Sequence, residues 1–197
     1  MAGTTSPTAS AYFAEMQALF EQIDCDAIDR YAKELFKAWL EGRTVYVFGN
    51  GGSAYGASHH VTDYIKTARV EGEKALRAVS LVDNLGLLTA LGNDISYDDI
   101  FRYPLEAMAK AGDVSVAISC SGNSGNVVKA LEWAKDNRLL TVAITGFSGG
   151  KIGKIADIHI NIPNENYGII EDLQLSVGHI AAQGLKSRVF EMNGVAS

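Results

Sequence analysis

Two serine- and glycine-rich loops carry the residue types and spacing that are best suited to chemistry in this sequence. The first loop is GNGGS (residues 49–53) and the second is SCSGNS (residues 119–124). Each follows a short apolar run and precedes a helix-length segment, so each lies where a helix start exposes free N–H groups and a partial positive charge. Hydroxyls and free amides together suit a phosphate monoester, even without lysine or arginine.

The loops also have structural explanations. The first could be only a tight turn, and Ser121 or Ser124 could be an ordinary helix cap. One cap needs one hydroxyl, so the three serines of the second loop favour phosphate binding. Neither loop has the GxxxxGK[ST] pattern of a P-loop or the GxGxxG pattern of a dinucleotide site. We therefore expect no nucleotide cofactor.

The helix predicted after the first loop, over residues 54–66, offers a second chemical feature. His59 and Asp63 are four residues apart and share a face, with Cα atoms ~6 Å apart. Both side chains could reach one metal or one substrate, and the alternative is an ordinary hydrogen bond within the helix. His60 points about 100° away from His59, so we expect it to be a packing or surface residue.

A late helix, predicted from about residue 170 to residue 191, carries Glu171 and His179. These residues lie ~12 Å apart along a straight helix, so their side chains could meet only at the limit of their reach. A neighbouring subunit or an irregular helix start would ease this.

The elements that must position these residues follow from the apolar pattern. Short apolar runs at residues 44–48, 76–81, 114–119, 139–145 and 158–162 alternate with helix-length segments. This alternation is typical of a parallel sheet covered on both faces. We expect an α/β, flavodoxin-like, doubly wound sheet of five strands. Ligands of such sheets bind at the carboxyl ends of the strands, where both loops and a third loop, TGFSGG (residues 145–150), are found.

Two helices precede the sheet, each with apolar residues at helical spacing. The second is predicted to end at Gly42. Such a pair must pack on its own domain or on another subunit, and we expect both faces to be partly buried between subunits. The faces are Phe13, Met16 and Phe20 in the first helix, and Tyr31, Leu35 and Trp39 in the second.

The ordered set of motifs resembles the sugar isomerase (SIS) domain, and more narrowly the phosphoheptose isomerases. The set comprises GNGGS, LGND (residues 91–94), SCSGNS, TGFSGG followed by ADIHINIP, and a late helix with His179. The resemblance covers nearly the whole chain and implies one SIS domain over residues 1–197, with N-terminal helices over 1–42 and an α/β core over 43–197. It also implies a homotetramer with active sites at subunit interfaces. The substrate-binding residues that it implies are Asn50, Gly51, Gly52, Ser53, Asp94, Ser119, Ser121 and Ser124.

The same resemblance assigns catalysis and a metal. It implies that Asp63 is the base, that His179 is its acid–base partner, and that His59, Asp63, Glu171 and His179 form a Zn²⁺ set. The family usually has His, Glu, Gln and His at these four positions. Asp63 is one methylene shorter than Glu, whereas Glu171 adds a carboxylate that suits Zn²⁺. The stretch after Asp63, YIKT, lacks the family's usual arginine, and Cys120 stands where threonine is common.

The expected activity is an aldose–ketose isomerisation of a sugar phosphate through an enediol. The substrate implied is sedoheptulose 7-phosphate, converted to D-glycero-D-manno-heptose 7-phosphate. Two alternatives stay open: a non-catalytic sugar-phosphate-binding SIS protein, of the regulatory or replication-initiator-associating type, and an isomerase of another sugar phosphate. A surviving carboxylate and histidine favour an enzyme.

Composition excludes several other classes. The chain has 197 residues with 47% hydrophobic and 20% charged residues, which is ordinary for a globular protein. Its net charge of −6 argues against a nucleic-acid partner. Neither a membrane span nor a signal peptide is visible. Two cysteines suit a reducing compartment, so we expect a cytoplasmic protein.

Overall fold

The computed structural model describes residues 8–194 of the chain. Residues 1–7 and 195–197 of the expected domain lie outside this range. Over the described range a five-stranded sheet runs in the order β2-β1-β3-β4-β5, and every pairing is parallel. The strands are β1 (Thr44–Gly49), β2 (Arg77–Ser80), β3 (Val114–Ser119), β4 (Leu140–Thr145) and β5 (Ile158–Asn161). This order is that of a flavodoxin-like sheet and confirms the predicted fold class.

Helices cover both faces of this sheet. They are α1 (Ala9–Leu19), α2 (Cys25–Glu41), α3 (Gly52–Thr62), α4 (Leu85–Asp94), α5 (Arg102–Met108), α6 (Gly125–Asp136), α7 (Gly150–Ile155) and α8 (Tyr167–Met192). One apolar core lies between the sheet and α2, α3 and α8, with α1 packed at its edge. A second core lies on the other face, under α4 to α7. Each face thus buries one side of the continuous apolar strands, as expected of a parallel sheet.

Helix α3 does not end as the apolar pattern predicts. Its α-helical part stops at Thr62, and residues Asp63–Thr67 form a π-helical turn. In this turn the N–H of Ala68 donates to the carbonyl of Asp63, five residues earlier, at 2.7 Å. Single π-helical turns are rare in proteins, and those that do occur are often found at functional sites.

The N-terminal helix pair only partly behaves as predicted. Helix α2 begins at the cap Asp24 and ends at Gly42, which adopts the left-handed conformation, as predicted. However, the prediction that its Tyr31, Leu35 and Trp39 face is buried between subunits is wrong, because that face is already buried within the chain. It packs on the core beside α8.

Helix α1 is the less buried of the two. Phe13 and Phe20 remain 66% and 56% exposed, while Tyr12 and Met16 pack against the core. The Tyr12 hydroxyl donates to Asp172 on α8 at 2.6 Å, and this bond raises the pKa of Tyr12 to about 12. Helix α1 is therefore attached near the start of α8 with an apolar face left open.

Candidate active site

A cavity of about 250 Å³ opens at the carboxyl ends of β1 and β3. We call it the serine cavity. Its lining contains all the residues that the resemblance implied for substrate binding except Asp94. The lining residues are Asn50, Gly51, Gly52, Ser53, Ser119, Cys120, Ser121, Ser124, Tyr167 and Glu171.

Two helix starts at this cavity lack a side-chain cap. Helix α3 begins after Gly51 and α6 begins after Ser124, and in neither does the cap residue's side chain accept a hydrogen bond from the first turn. Ser124 therefore does not perform the capping role that was the structural alternative. In α6 the Val127 N–H already donates to the Asn126 amide oxygen at 2.9 Å, and the first-turn N–H groups without such a bond remain available for an anion.

The other two hydroxyls of the second loop stabilise the loop itself. The Ser119 hydroxyl accepts from the Gly122 N–H, and the Ser121 hydroxyl accepts from the Asn123 N–H, each at 3.2 Å. Their hydrogens and remaining lone pairs are still available to a ligand. These hydrogen bonds join residues two or three positions apart. They bend the loop so that its serines line one cavity.

Backbone and amide bonds hold the loops together. The side chains of Asn50 and Asn126 exchange two hydrogen bonds of 2.9 Å, which join the first loop to α6. The third loop does not line the cavity. It supports the second loop through the Gly146 N–H, which donates to the Cys120 carbonyl at 2.9 Å, and α7 adds the Ile152 N–H, which donates to the Gly122 carbonyl at 3.1 Å.

The electrostatics of the serine cavity come from dipoles and one carboxylate. Among residues 8–194, no lysine or arginine lines it, and Glu171 does. A Cβ at Gly52 would meet the Glu171 carboxylate, so a larger residue there would displace this side chain. The nearby Cys120 thiol has its pKa raised to about 11, mainly by burial and further by the Glu171 charge. The thiol therefore stays protonated at neutral pH and is not a nucleophile.

A second group of functional side chains, which we call the histidine cluster, consists of His59, Asp63 and His179. The Nε2 atoms of the two histidines lie 3.0 Å apart. Oδ2 of Asp63 is 3.4 Å from each of them, yet it is buried and accepts no hydrogen bond within the described part of the chain. An orphaned buried carboxylate oxygen between two imidazoles is costly unless a proton or a cation joins the group.

This donor set fits a metal ion. The three residues offer ligand atoms within 4.8 Å of one another. Two imidazole nitrogens and one carboxylate oxygen are a common three-residue set for catalytic Zn²⁺, in which a fourth position stays open to water or substrate. Glu171, the fourth predicted ligand, is not in this group, since its carboxylate lies in the serine cavity, with Oε1 4.0 Å from the Cys120 sulfur.

A buried polar network aligns α3 with α8 beneath the histidine cluster. Nε2 of His60 lies 3.0 Å from the Gln174 carbonyl. A carbonyl only accepts, so Nε2 carries the hydrogen and Nδ1 is left to accept from the Tyr64 hydroxyl at 3.5 Å. Tyr64 in turn accepts from Tyr31 at 2.6 Å. The close approach of the two helices requires Gly178, where a Cβ would collide with the His60 ring.

His60 belongs to the buried interior and not to the surface. It is fully buried, which lowers its pKa to about 4, so it is neutral at pH 7. Burial also raises the pKa of both Tyr31 and Tyr64. The network is therefore uncharged, and its hydrogen bonds add to the apolar packing of these helices.

The serine cavity and the histidine cluster lie along the same two helices. The start of α3 meets α8 where Gly52 approaches Glu171, and the end of α3 meets α8 where His59 approaches His179. Six residues of α3, or ~9 Å of rise, separate Ser53 from His59. A short phosphorylated chain bound at the serines can therefore extend toward the cluster.

Comparison with known proteins agrees with this geometry. A family model described as the SIS domain matches residues 11–146. A probable phosphoheptose isomerase of Thermoplasma volcanium is 42% identical over 165 residues, which cover 84% of each chain. The chain belongs to the phosphoheptose isomerase family. A further member, the phosphoheptose isomerase of Pelobacter propionicus, is 36% identical over 177 residues, covering 88% of this chain and 93% of the relative.

Solved structures of this family superpose closely on the chain. The phosphoheptose isomerase of Neisseria gonorrhoeae aligns with a TM-score of 0.83 and 30% identity, over 90% of this chain and 96% of that one. The phosphoheptose isomerase of Francisella tularensis aligns with a TM-score of 0.84 and 26% identity over the same shares. The SIS fold and the phosphoheptose isomerase type are thus both confirmed.

Two of the residues implied by the family resemblance are not brought together with the others within the single chain. Asp94 is exposed at the end of α4, where it accepts from Asn93 at 2.7 Å, and it does not line the serine cavity. Glu171 is at the cavity and not in the histidine cluster. Both residues had been placed by correspondence of motifs, which does not give side-chain direction.

Several residues of the site were missed in the sequence. Asn126 and Gln174 are buried polar side chains that connect the loops and the helices. Gln174 donates to the Ile144 carbonyl at 3.2 Å, and its amide oxygen lies 3.5 Å from the Ser53 hydroxyl. The available signal was a polar residue at an otherwise apolar position of α8.

Over residues 8–194, no helix has both the length and the apolar character needed to cross a membrane.

Proposed function

We propose that this protein interconverts sedoheptulose 7-phosphate and D-glycero-D-manno-heptose 7-phosphate through an enediol. The observation that carries the proposal is that α3 and α8 together have a serine-lined cavity at the start of α3 and two histidines with an orphaned carboxylate oxygen at its end. Family membership supports the same reaction, because the curated relatives are named phosphoheptose isomerases.

The serine cavity would hold the phosphate. The hydroxyls of Ser53, Ser119, Ser121 and Ser124 and the free amides of α3 and α6 would donate to its oxygens. Asn50, Gly51 and Gly52 would shape the rim, since Asn50 is already engaged with Asn126. These contacts act on both the ground state and the transition state, so they provide binding and orientation.

The histidine cluster would move the proton. In the direction from ketose to aldose, the Asp63 carboxylate takes a proton from C1, and the freed electron pair forms the C1–C2 double bond. His179 gives a proton to the C2 oxygen, which completes the enediol. In the second half of the reaction, the enediol gains a proton on C2 and loses one from the C1 oxygen, which leaves the aldehyde. No oxidant or reductant is needed.

We also propose that His59, Asp63 and His179 bind Zn²⁺. A bound zinc ion would polarise a substrate oxygen and stabilise negative charge developing on it. Oδ2 of Asp63 would be required both by the metal and by the proton transfer. The effect of added zinc on activity therefore tests whether Asp63 acts as a metal ligand or as the base.

The expected assembly is a proposal of the same kind. We infer that residues 1–197 form one SIS domain that assembles as a homotetramer through the open face of α1, where Phe13 and Phe20 are exposed. An interfacial active site would also give the exposed Asp94 a place near the sugar. We expect the protein to function in a reducing, cytoplasmic compartment, where Cys25 and Cys120 remain free thiols. Light scattering that shows a monomer at micromolar concentration would contradict the assembly.

The deciding experiment is incubation with sedoheptulose 7-phosphate in D₂O, after chelator treatment and again after Zn²⁺ addition, followed by NMR of the products. We expect an aldose heptose phosphate with deuterium at C2, because the base exchanges its proton with solvent. Fructose 6-phosphate in a parallel reaction tests the choice of sugar.

Each outcome of this experiment discriminates between functions. Binding of sedoheptulose 7-phosphate without conversion in either metal state would contradict the isomerase and support a non-catalytic sugar-phosphate-binding protein. Faster conversion of fructose 6-phosphate would support an isomerase of another sugar phosphate.

A further inference from the structure

Thr67 makes a contact with the histidine cluster that the family resemblance does not assign. Its hydroxyl donates to Oδ1 of Asp63 at 2.8 Å. Thr67 is exposed and lies at the end of the π-helical turn Asp63–Thr67. Its side chain therefore contacts the carboxylate without being part of the core.

Thr62 on the same helix shows what a threonine hydroxyl ordinarily does. It donates to the carbonyl of Ser58, four residues earlier, at 3.0 Å, which is a usual partner for threonine in helices. At Thr67 the corresponding carbonyl belongs to Asp63 and already accepts from the Ala68 N–H. The Thr67 hydroxyl bonds to the Asp63 side chain instead.

This hydrogen bond gives the two carboxylate oxygens of Asp63 different surroundings. Oδ1 is bound by Thr67, while Oδ2 faces Nε2 of His59 and of His179 at 3.4 Å. The terminal torsion of an aspartate is broad and roughly two-fold, so without a partner on Oδ1 the carboxylate could turn. A bond to one oxygen restricts the direction of the other.

We propose that Thr67 is a positioning residue that directs Oδ2 of Asp63 at the two imidazoles, and that the π-helical turn exists to bring it there. The proposal rests on the proposed function for its effect on catalysis. Its effect on the geometry of the cluster does not depend on that function. Partners of this kind, behind a ligand or a catalytic group, typically contribute about 10- to 100-fold to metal affinity or activity.

The test compares Thr67→Val, which removes the hydroxyl and keeps the shape, with Thr67→Ser, which keeps the hydroxyl. Thr62→Val is the matched control because it removes a threonine hydroxyl bonded only to backbone on the same helix. Three measurements apply to each variant: imidazole ¹⁵N resonances of the metal-free protein, Zn²⁺ affinity by chelator competition, and the separate kcat and KM values.

We expect Thr67→Val to shift the ¹⁵N resonances of His59 and His179 and to weaken Zn²⁺ binding about 10-fold. Its kcat should fall by about the same factor while KM stays within about twofold, because the serine cavity is untouched. Thr67→Ser should restore all three values, and Thr62→Val should change none.

The proposal is overturned if Thr67→Val matches the Thr62→Val control in all three measurements, or if Thr67→Ser is as impaired as Thr67→Val. Failure of the proposed function gives a different result. In that case the unaltered protein would not isomerise the sugar phosphate, and the imidazole resonances of the variants would still decide the role of Thr67.

Discussion

The serine cavity and the histidine cluster lie at the two ends of α3 and along the first half of α8, and they are built in different ways. Most of the cavity comes from two contiguous loops, and its donors are hydroxyls and backbone amides at helix starts. The cluster joins side chains from α3 and α8, with His59 and His179 120 positions apart in the sequence. The first region depends on local loop geometry, and the second depends on how two helices pack.

The two regions should therefore respond differently to substitution. A serine in the cavity can be removed while the amides around it remain, so binding should weaken gradually. The cluster has three members and one orphaned oxygen, so the loss of one member removes a chemical function. Its alignment also depends on His60 and Gly178, which pack against each other in the buried interior.

The largest effect is expected for Asp63→Asn in the cluster. The amide cannot accept the substrate proton, so kcat should fall by at least ~100-fold, within the usual range for the loss of a general base. KM should change little, because the phosphate contacts remain. Steady-state kinetics on sedoheptulose 7-phosphate measures both values.

The control for this change is Asp29→Asn, a substitution of the same type at an exposed position of α2. It should leave kcat and KM unaltered. An Asp63→Asn enzyme with nearly normal kcat would mean that another group takes the proton. The histidine cluster would then not be the catalytic region.

A smaller effect of the opposite kind is expected for Ser124→Ala in the cavity. A hydrogen bond to a charged group contributes about 1.5–3 kcal/mol, so KM should rise roughly 10-fold or more. The kcat value should stay nearly constant. Because the Ser124 side chain caps no N–H, α6 should keep its stability.

Ser148→Ala is the matched control, since Ser148 is exposed in the third loop and outside the cavity lining. It should behave as the unaltered protein does. A loss confined to kcat in Ser124→Ala would show that this serine takes part in the chemistry and not in holding phosphate.

The same difference explains how much could be predicted from the sequence. The five strands, their loops and the cavity serines could be predicted because apolar runs and loop composition are local signals. The π-helical turn at Asp63 could not, since it adds one residue to a turn without changing the apolar pattern. The family resemblance implied Glu171 as a member of the cluster, but correspondence of motifs does not show which way a side chain points.

The burial of His60 shows the same limit from another side. The sequence around His60 did not distinguish a packing position from a surface position. Only the packing of α8 against it reveals a hydrogen-bonded interior position. The apolar faces of the N-terminal helices likewise did not distinguish packing within the chain from packing between subunits. In each case the missing information was the identity of the facing element.

The buried network offers a test of the cluster through stability. Tyr64→Phe leaves both the Tyr31 hydroxyl and Nδ1 of His60 without their partner, whereas Tyr31→Phe removes only the donor to Tyr64. Tyr64→Phe should cost about 1–2 kcal/mol in the free energy of unfolding and lower Tm by about 2–8 °C. Tyr31→Phe should cost less.

Calorimetry ranks the two variants, and ligand binding shows which region they affect. Zn²⁺ affinity should fall in Tyr64→Phe, while the Kd for inorganic phosphate at the serine cavity stays the same. Equal losses at both regions would contradict the view that the network serves the alignment of α3 with α8.

The smallest effect is expected at Glu171. The structure places this residue at the serine cavity, whereas the family resemblance implies that it belongs to the histidine cluster. In the structure its carboxylate lines the serine cavity, where it would repel a bound phosphate. Unit charges 4 Å apart interact by about 1 kcal/mol at the dielectric of water, or about fivefold in Kd. Glu171→Gln removes this charge at almost constant volume, so inorganic phosphate should bind about fivefold more tightly in isothermal titration, with Zn²⁺ affinity unchanged. Glu165→Gln, an exposed glutamate just before α8, should change neither affinity. The reverse pattern for Glu171→Gln, with weaker zinc binding and unchanged phosphate binding, would mean that Glu171 turns toward the histidine cluster when a metal is bound, as the family resemblance implies.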